Sequence, residues 1–232
     1  VPKIYVYKIT ADDGIAPCAQ DGVLTLGVCK PAIRRTASVE DYLIGVGSNN
    51  WYPGRLIYVA QVSESIPGQR YYQLGGAYIK RRDCIYRAMP KGGFRWLNHQ
   101  GRRVHDPKSK GMAGQMKRDV GNCRGRSNAV ILACDRFVYL GRDTAHLSDR
   151  IWKKYPHMLR RFSRLQQSHL VHHSDSLKKR LLVFSESILK RLGPNSELDR
   201  PHDVPTRWTC HDKTQKDPRC SHACAPANLA KR

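Results

Sequence analysis

The sequence predicts an α+β fold: a compact, partly closed β barrel followed by two amphipathic helices and a mobile tail. Three observations lead there. Up to about residue 145, short runs rich in Val, Ile, Leu and Tyr alternate with clusters of Gly, Pro, Asn or Asp. From there to about residue 193 apolar residues recur at helical spacing. Beyond it lies a polar, Pro-containing stretch without periodicity. The divisions suggest a β domain over 1–145, a basic helical extension over 146–193 and a flexible Cys/His-containing tail over 194–232.

The predicted strands run, in order, from Ile4 to Ile9, Val23 to Val28, Tyr42 to Val46, Leu56 to Val62, Ala129 to Cys134 and Phe137 to Leu140. Several are apolar at consecutive positions, which points to strands covered on both faces or closed into a small barrel, since a one-sided sheet would alternate. Between Lys80 and Arg126 the chain is polar and rich in Arg, Lys and Gly, the signature of a functional flap or a disordered loop. After Ser148, an N-cap type, Ile151, Tyr155, Met158, Leu159, Phe162 and Leu165 form one helical face, with Arg150, Lys153, Lys154, Arg160, Arg161 and Arg164 opposite. A second helix is expected from about Asp175 to Leu192, stopping at Gly193-Pro194.

With 232 residues the chain is long enough to bury a real core. It carries 41 basic against 19 acidic residues, a formal charge of +22. Residues 1–145 hold 23 basic and 11 acidic side chains and residues 146–232 hold 18 and 8, so the C-terminal part is the denser cation. No apolar run approaches the roughly 20 residues of a membrane span, and the first residues lack the stages of a secretory signal. The expectation is a cytoplasmic protein with no membrane partner. Eight cysteines in a chain of this length are expected as reduced thiols.

Two neighbouring stretches concentrate unusual residues. The first strand runs into Thr10, Asp12, Asp13, Gly14, Ala16, Pro17 and Cys18; the second is followed by Cys29, Lys30, Pro31, Arg34 and Arg35. Carboxylates accept hydrogen bonds from a nucleobase and Lys and Arg hold phosphate, so a recess made by both stretches suits a polar, anionic ligand. The plainer alternative is a turn at Asp12 to Gly14, core cysteines and solvated arginines.

The string Tyr5-x-Tyr7-Lys8-Ile9-Thr10-x-Asp12-Asp13-Gly14-x-Ala16-Pro17-Cys18 resembles the opening of the second type of nucleotide modification associated domain, which is linked to hypermodification of DNA bases. So do Leu24-Thr25-Leu26, Cys29-Lys30-Pro31-x-Ile33-Arg34, Leu56-Ile57-Tyr58-Val59-Ala60-x-Val62, Tyr71-Tyr72, Asp83-Cys84-Ile85-Tyr86, Asp119-Val120-Gly121 and Phe137-x-Tyr139-Leu140-Gly141. The likeness covers roughly residues 3 to 142. It implies an association with systems that make, modify or recognise altered nucleobases, and no particular reaction. Two departures stand out: Glu40-Asp41 replaces a Gly-Asp turn, and the Lys91 to Lys117 segment is unusually basic. The strand order is also similar to PUA-like and EVE-like barrels, which hold a flipped or modified base; Tyr5, Tyr7, Trp51, Tyr52, Tyr58, Tyr71 and Tyr72 are candidate walls for such a pocket.

The expected function is that of a nucleic-acid-associated protein binding a nucleobase or nucleotide in a pocket on a basic surface, with DNA favoured as partner and other modification-system proteins as further partners. Asp12, Lys30, Arg34, Arg35, Tyr58, Tyr71 and Tyr72 are the candidate ligand contacts. Arg81, Arg82, Arg102, Arg103, Lys117, Arg118, Arg124 and Arg126 are the candidate phosphate contacts. The alternative is an enzyme of base hypermodification, with Asp13 as base or orienting carboxylate and Cys18 or Cys29 as nucleophile; a basic accessory protein needs no pocket. His105 and Asp119 could act as an acid/base pair only if folding brings them beside the first cluster. No cofactor is assigned. His169, His172 and His173 read as a solvated helix junction, and Cys210, His211, Cys220, His222 and Cys224 match no common zinc spacing, so no metal is assigned.

Overall fold

The computed structural model describes residues 1–48, 53–97, 115–120, 129–141, 145–163, 165 and 169–198. Its centre is a pair of strands buried at every position, β1 (Ile4–Ile9) and β4 (Tyr42–Gly47), which run parallel with Tyr7 opposite Gly45. Their unbroken apolar runs have the predicted cause, since both faces are covered. Tyr5, Tyr7 and Ile9 point to one side of the sheet, while Ile4 and Val6 point to the other. Antiparallel pairing adds β5 (Leu56–Gln61) and β10 (Arg136–Tyr139). Two-residue strands, β11 (His169–Leu170) beside β1 and β12 (Ser196–Glu197) beside β10, complete a six-stranded sheet.

The second sheet has four strands in the order β2 (Cys18–Gln20), β3 (Val23–Leu26), β9 (Val130–Cys134) and β6 (Glu64–Pro67). The chain crosses between the sheets at Val62–Ser63 and again at Asp135. Leu24, Leu26, Leu132 and Cys134 from this sheet meet Tyr7, Leu43, Tyr58 and Phe137 from the first. The outer face of the second sheet is covered by α2 (Gly68–Tyr71), the hairpin of β7 (Tyr86–Ala88) and β8 (Phe94–Trp96), and α3 (Gln115–Val120). The segment expected as a loop thus contains ordered elements. α1 (Pro31–Thr36) sends Ile33 into the core between the sheets.

The described residues form stacked open sheets with six helices, so the expectation of a partly closed, PUA-like barrel is corrected. Strands covered on both faces arise here from stacking: helices lie on one side of the large sheet and a second sheet lies on the other. The first predicted long helix is two, α4 (Ala145–Lys154) and α5 (Pro156–Ser163), because Pro156 lacks the N–H that would continue the ladder. Ser148 is not the N-cap. It lies buried within α4, where its hydroxyl accepts the Leu56 N–H at 2.9 Å. The last helix, α6 (Asp175–Leu192), has the predicted bounds and ends at Gly193, whose φ of 87° favours glycine. Glu40 has φ 74° at the turn where the resemblance calls for glycine.

Leu181, Phe184 and Ile188 dock α6 onto the large sheet, each burial contributing about 1.5–3 kcal/mol. A polar clamp fixes the register: Arg136 donates to both Glu186 carboxylate oxygens, at 2.8 and 2.5 Å, and the Tyr42 hydroxyl donates to the same carboxylate. The Arg136 hydrogen bond holds the Glu186 carboxyl below the usual carboxylate range. The folded protein therefore binds fewer protons at this group than the unfolded chain, and the stabilisation is full above about 4.5 and drains as pH falls through the folded value. Both partners are more than a third exposed, which limits the pair to under about 1 kcal/mol. Glu186→Gln is expected to lower the Tm by about 2 °C at pH 7, with the deficit shrinking as pH falls from about 4.5 through the folded value of the carboxyl; a deficit that grows as pH falls through that range would refute this account.

Candidate functional site

Register places a row of polar groups across the large sheet. His169, Tyr7, Gly45, Tyr58, Tyr139 and Glu197 are successive partners on β11, β1, β4, β5, β10 and β12. Tyr7, Tyr58 and Tyr139 all face the space between the sheets. Gly45 is required there, because a Cβ at this position would lie 2.4 Å from the Tyr58 ring and 2.6 Å from Ile9 Cδ1. The space lets Tyr58 reach Tyr7, and their hydroxyls share a hydrogen bond of 2.7 Å. The Tyr139 hydroxyl lies 2.8 Å from both oxygens of the fully buried Asp12 carboxylate. Burial is the main cause that keeps all three phenols protonated far above their ordinary range.

The segment after β3 reaches the same place by a strained route. Cys29 and Lys30 both lie in the left-handed region, at φ 56° and 43°. Such conformations cost of order 1 kcal/mol or more each and persist only where the surroundings enforce them. The Cys29 N–H donates to Asp119 Oδ1 at 2.6 Å, and the Cys29 carbonyl accepts Arg34 Nε at 2.7 Å. Arg34 is itself locked, donating to the carbonyls of Val130, Arg118 and Asp119 at 2.8, 3.2 and 2.8 Å. The Tyr86 hydroxyl holds the other Asp119 oxygen at 2.8 Å. Lys30 then extends over the Tyr7 ring, 4.9 Å from its centroid, and donates to the Lys8 carbonyl at 2.8 Å. Burial lowers the Lys30 pKa.

Of the two stretches singled out in the sequence, the second reaches Tyr7 through Lys30, while Asp12 of the first is held by Tyr139. Burial chiefly pushes the Tyr7 phenol up, with Cys29 and Asp12 adding to it. Asp119 joins the second stretch at Cys29. Tyr86 and the clamping role of Arg34 had no signal in composition; both lie in strings carrying the family resemblance, Asp83-Cys84-Ile85-Tyr86 and Cys29-Lys30-Pro31-x-Ile33-Arg34.

Other predicted site residues lie elsewhere. Asp13 closes a turn, accepting the Ile15 N–H at 3.0 Å, and Arg35 is exposed on α1. Cys18 is sealed under Arg81, and burial pushes its thiol up to about 12, which disfavours the thiolate a nucleophile needs. Arg81 is corrected from a phosphate contact to a core strut. Its guanidinium donates to the carbonyls of Gln20, Cys18 and Val23, to Thr25 and to Tyr71, and faces the buried Asp83 at 3.6 Å. Tyr71 and Tyr72 are fully buried. Tyr71 donates to Asp83 at 2.6 Å and Tyr72 to the Gly27 carbonyl at 3.3 Å, so neither is a pocket wall. Tyr58 is also buried, and it acts through Tyr7. Half-buried Arg82 donates to the Ala19 carbonyl and faces Glu197 at 3.5 Å. Lys117 and Arg118 are exposed on α3. Trp51, Tyr52, Arg102, Arg103, His105, Arg124, Arg126 and the tail cysteines and histidines lie outside the described residues.

Among the described residues no three His, Cys, Asp or Glu side chains are grouped to hold a metal ion, and no helix is long and apolar enough to cross a membrane. No curated protein and no solved structure matches the chain. The family described as nucleotide modification associated domain 2 matches residues 1–203, so the matched region includes the helical layer as well as the sheets. On that match, over most of its length, the chain belongs to the nucleotide modification associated domain 2 family.

Proposed function

We propose that the protein serves nucleotide modification by holding a nucleobase or nucleotide at the half-buried Cys29 and Lys30, beside the buried Tyr7 ring over which Lys30 lies. The observation that carries this reading is the enforced left-handed conformation of Cys29 and Lys30, since strain held in place by Asp119 and Arg34 has no use in a turn made only for packing. Lys30 is the anchor for a phosphate, and its loss of hydration is offset when an anion arrives. The half-buried Cys29, held in place by Asp119, offers a polar group to a base edge. The excess of 41 basic over 19 acidic residues favours nucleic acid, DNA above all, as the source of that base.

An enzymatic role is the second reading, and one observation favours it. Among the described cysteines Cys18, Cys84 and Cys134 are buried, while Cys29 keeps solvent access at the centre of the cluster. The test joins nucleotide binding with mass spectrometry of nucleosides recovered from DNA and RNA incubated with the protein and candidate metabolites. Lys30→Met is expected to weaken nucleotide binding about tenfold, the equivalent of one charge-assisted hydrogen bond. Cys29→Ser keeps binding in both readings but abolishes a new nucleoside if Cys29 does chemistry. Wild-type protein that binds no nucleotide would sink the proposal.

A further inference from the structure

The hairpin of β7 and β8 sets two arginines against each other. Its register makes Arg87 and Arg95 direct cross-strand partners, flanked by the pairs Tyr86 with Trp96 and Ala88 with Phe94. Side chains alternate along a strand, so Tyr86, Ala88, Phe94 and Trp96 share the inner face and pack into the core over the second sheet, while Arg87 and Arg95 share the outer one. Residues directly opposite in an antiparallel pair have Cα atoms about 4.5–5.5 Å apart, and like charges placed so repel. Arg95 is exposed. Arg87 is half-buried, with its Nε enclosed and unpartnered and its two terminal amino groups open. Among the described residues neither arginine forms an ion pair.

Sliding cannot relieve the repulsion, because a one-residue slip would turn Tyr86 and Phe94 out of the core. Tyr72 meets both rings edge-on, with centroids 5.5 and 5.7 Å away, and its carbonyl accepts the Ala88 N–H at 2.8 Å. The Tyr86 hydroxyl is held by Asp119 at 2.8 Å. At the other end the turn closes through Gly92 and Gly93, both at positive φ, and the Met89 N–H donates to the Gly93 carbonyl at 3.1 Å. A braced hairpin thus keeps two guanidiniums side by side.

We infer that this pair is a clamp for one phosphate of a nucleic-acid backbone. Planar forks facing each other from neighbouring strands present N–H donors to both non-bridging oxygens of a phosphodiester, and an anion between them turns their repulsion into attraction. A chain with 41 basic against 19 acidic residues has the overall field to draw a polyanion to that face. The inference rests on the reading of nucleic acid as the partner and not on the recess at Cys29 and Lys30, so either can fail alone.

Fluorescence polarisation of a short labelled oligothymidylate, titrated across about 50–200 mM salt, tests the clamp. Arg87→Gln with Arg95→Gln is expected to weaken binding about tenfold and to flatten the salt slope by about 0.7, the loss of one phosphate contact on a single strand. Lys190→Gln with Arg191→Gln removes the same charge from exposed positions in the last turn of α6 and is expected to leave the slope as it is. Arg95→Glu sets a carboxylate opposite Arg87. It is expected to raise the thermal midpoint by about 1–3 °C while weakening oligothymidylate binding at least as far as the double variant does. Equal slopes in the wild type and the Arg87 and Arg95 variant, equal flattening in the two double variants, or a midpoint lowered by Arg95→Glu would overturn the clamp. So would a labelled oligoglutamate that binds more tightly than oligothymidylate and is lost in the Arg87 and Arg95 variant, which would make the partner an acidic protein. Thymidine monophosphate separates the clamp from the recess: monophosphate binding that Lys30→Met weakens, alongside an oligonucleotide slope unmoved by the Arg87 and Arg95 variant, removes the clamp and leaves the recess, and the opposite pair of results does the reverse.

Discussion

Arg34→Met is expected to destabilise the protein by about 3–5 kcal/mol and to abolish nucleotide binding in whatever folded fraction remains. The guanidinium is 2 % exposed and donates to the carbonyls of Cys29, Val130, Arg118 and Asp119. Methionine fills similar space and donates to none of them, leaving the Asp119 carbonyl buried and the other three, partly buried, without this donor. The same change frees the Cys29 peptide, so the left-handed pair at Cys29 and Lys30 relaxes and the ammonium leaves the Tyr7 ring. Lysine is a poor rescue because the fork geometry serves carbonyls on three separated segments at once. Urea denaturation gives the stability and calorimetry with a nucleotide gives the binding; a loss under about 1 kcal/mol, or intact binding, would mean that Arg34 is not the clamp described above.

Gly45→Ala is expected to cost about 2–4 kcal/mol, a large effect for one methyl group. The added carbon collides with two atoms of the Tyr58 ring and with Ile9 Cδ1. β4 is buried between neighbours on both sides and cannot retreat, so the ring moves and the Tyr7–Tyr58 hydroxyl bond breaks. Pairing the change with Tyr58→Leu relieves the collision, so the double variant is expected to lose at least 1 kcal/mol less than the two single losses combined. Strict additivity in denaturant midpoints would show that the ring is not what the glycine accommodates.

The long strands were legible because burial on both faces writes itself as unbroken apolar runs, as in β1, β4, β5 and β9. The same runs cannot distinguish a closed barrel from stacked sheets, since both cover both faces; the crossings at Val62–Ser63 and Asp135 decide it. Strands β2, β6, β7, β8, β11 and β12 are two to four residues long; β2, β7 and β8 are arms of hairpins too short to show a period, and β6, β11 and β12 depend on a partner supplied from far along the chain. In the site, Asp12, Cys29 and Lys30 were visible as a cluster of chemical types close in sequence. Asp119 and Tyr86 gain their meaning only from folding, with the Cys29 to Asp119 bond spanning 90 positions. Cys18, Tyr71 and Arg81 misled for a physical reason: the buried network around Asp83 uses the same residue types as a binding site, and only burial tells them apart.

Holding Cys29 from Asp119, and Arg34 from Val130, also imposes an order in time. Synthesis proceeds from the N-terminus, and the ribosome has released the cysteine and lysine long before it has made the residues that trap them. A nascent polypeptide therefore carries Cys29 and Lys30 without their geometry until Asp119 and β9 fold into place and the trap snaps shut.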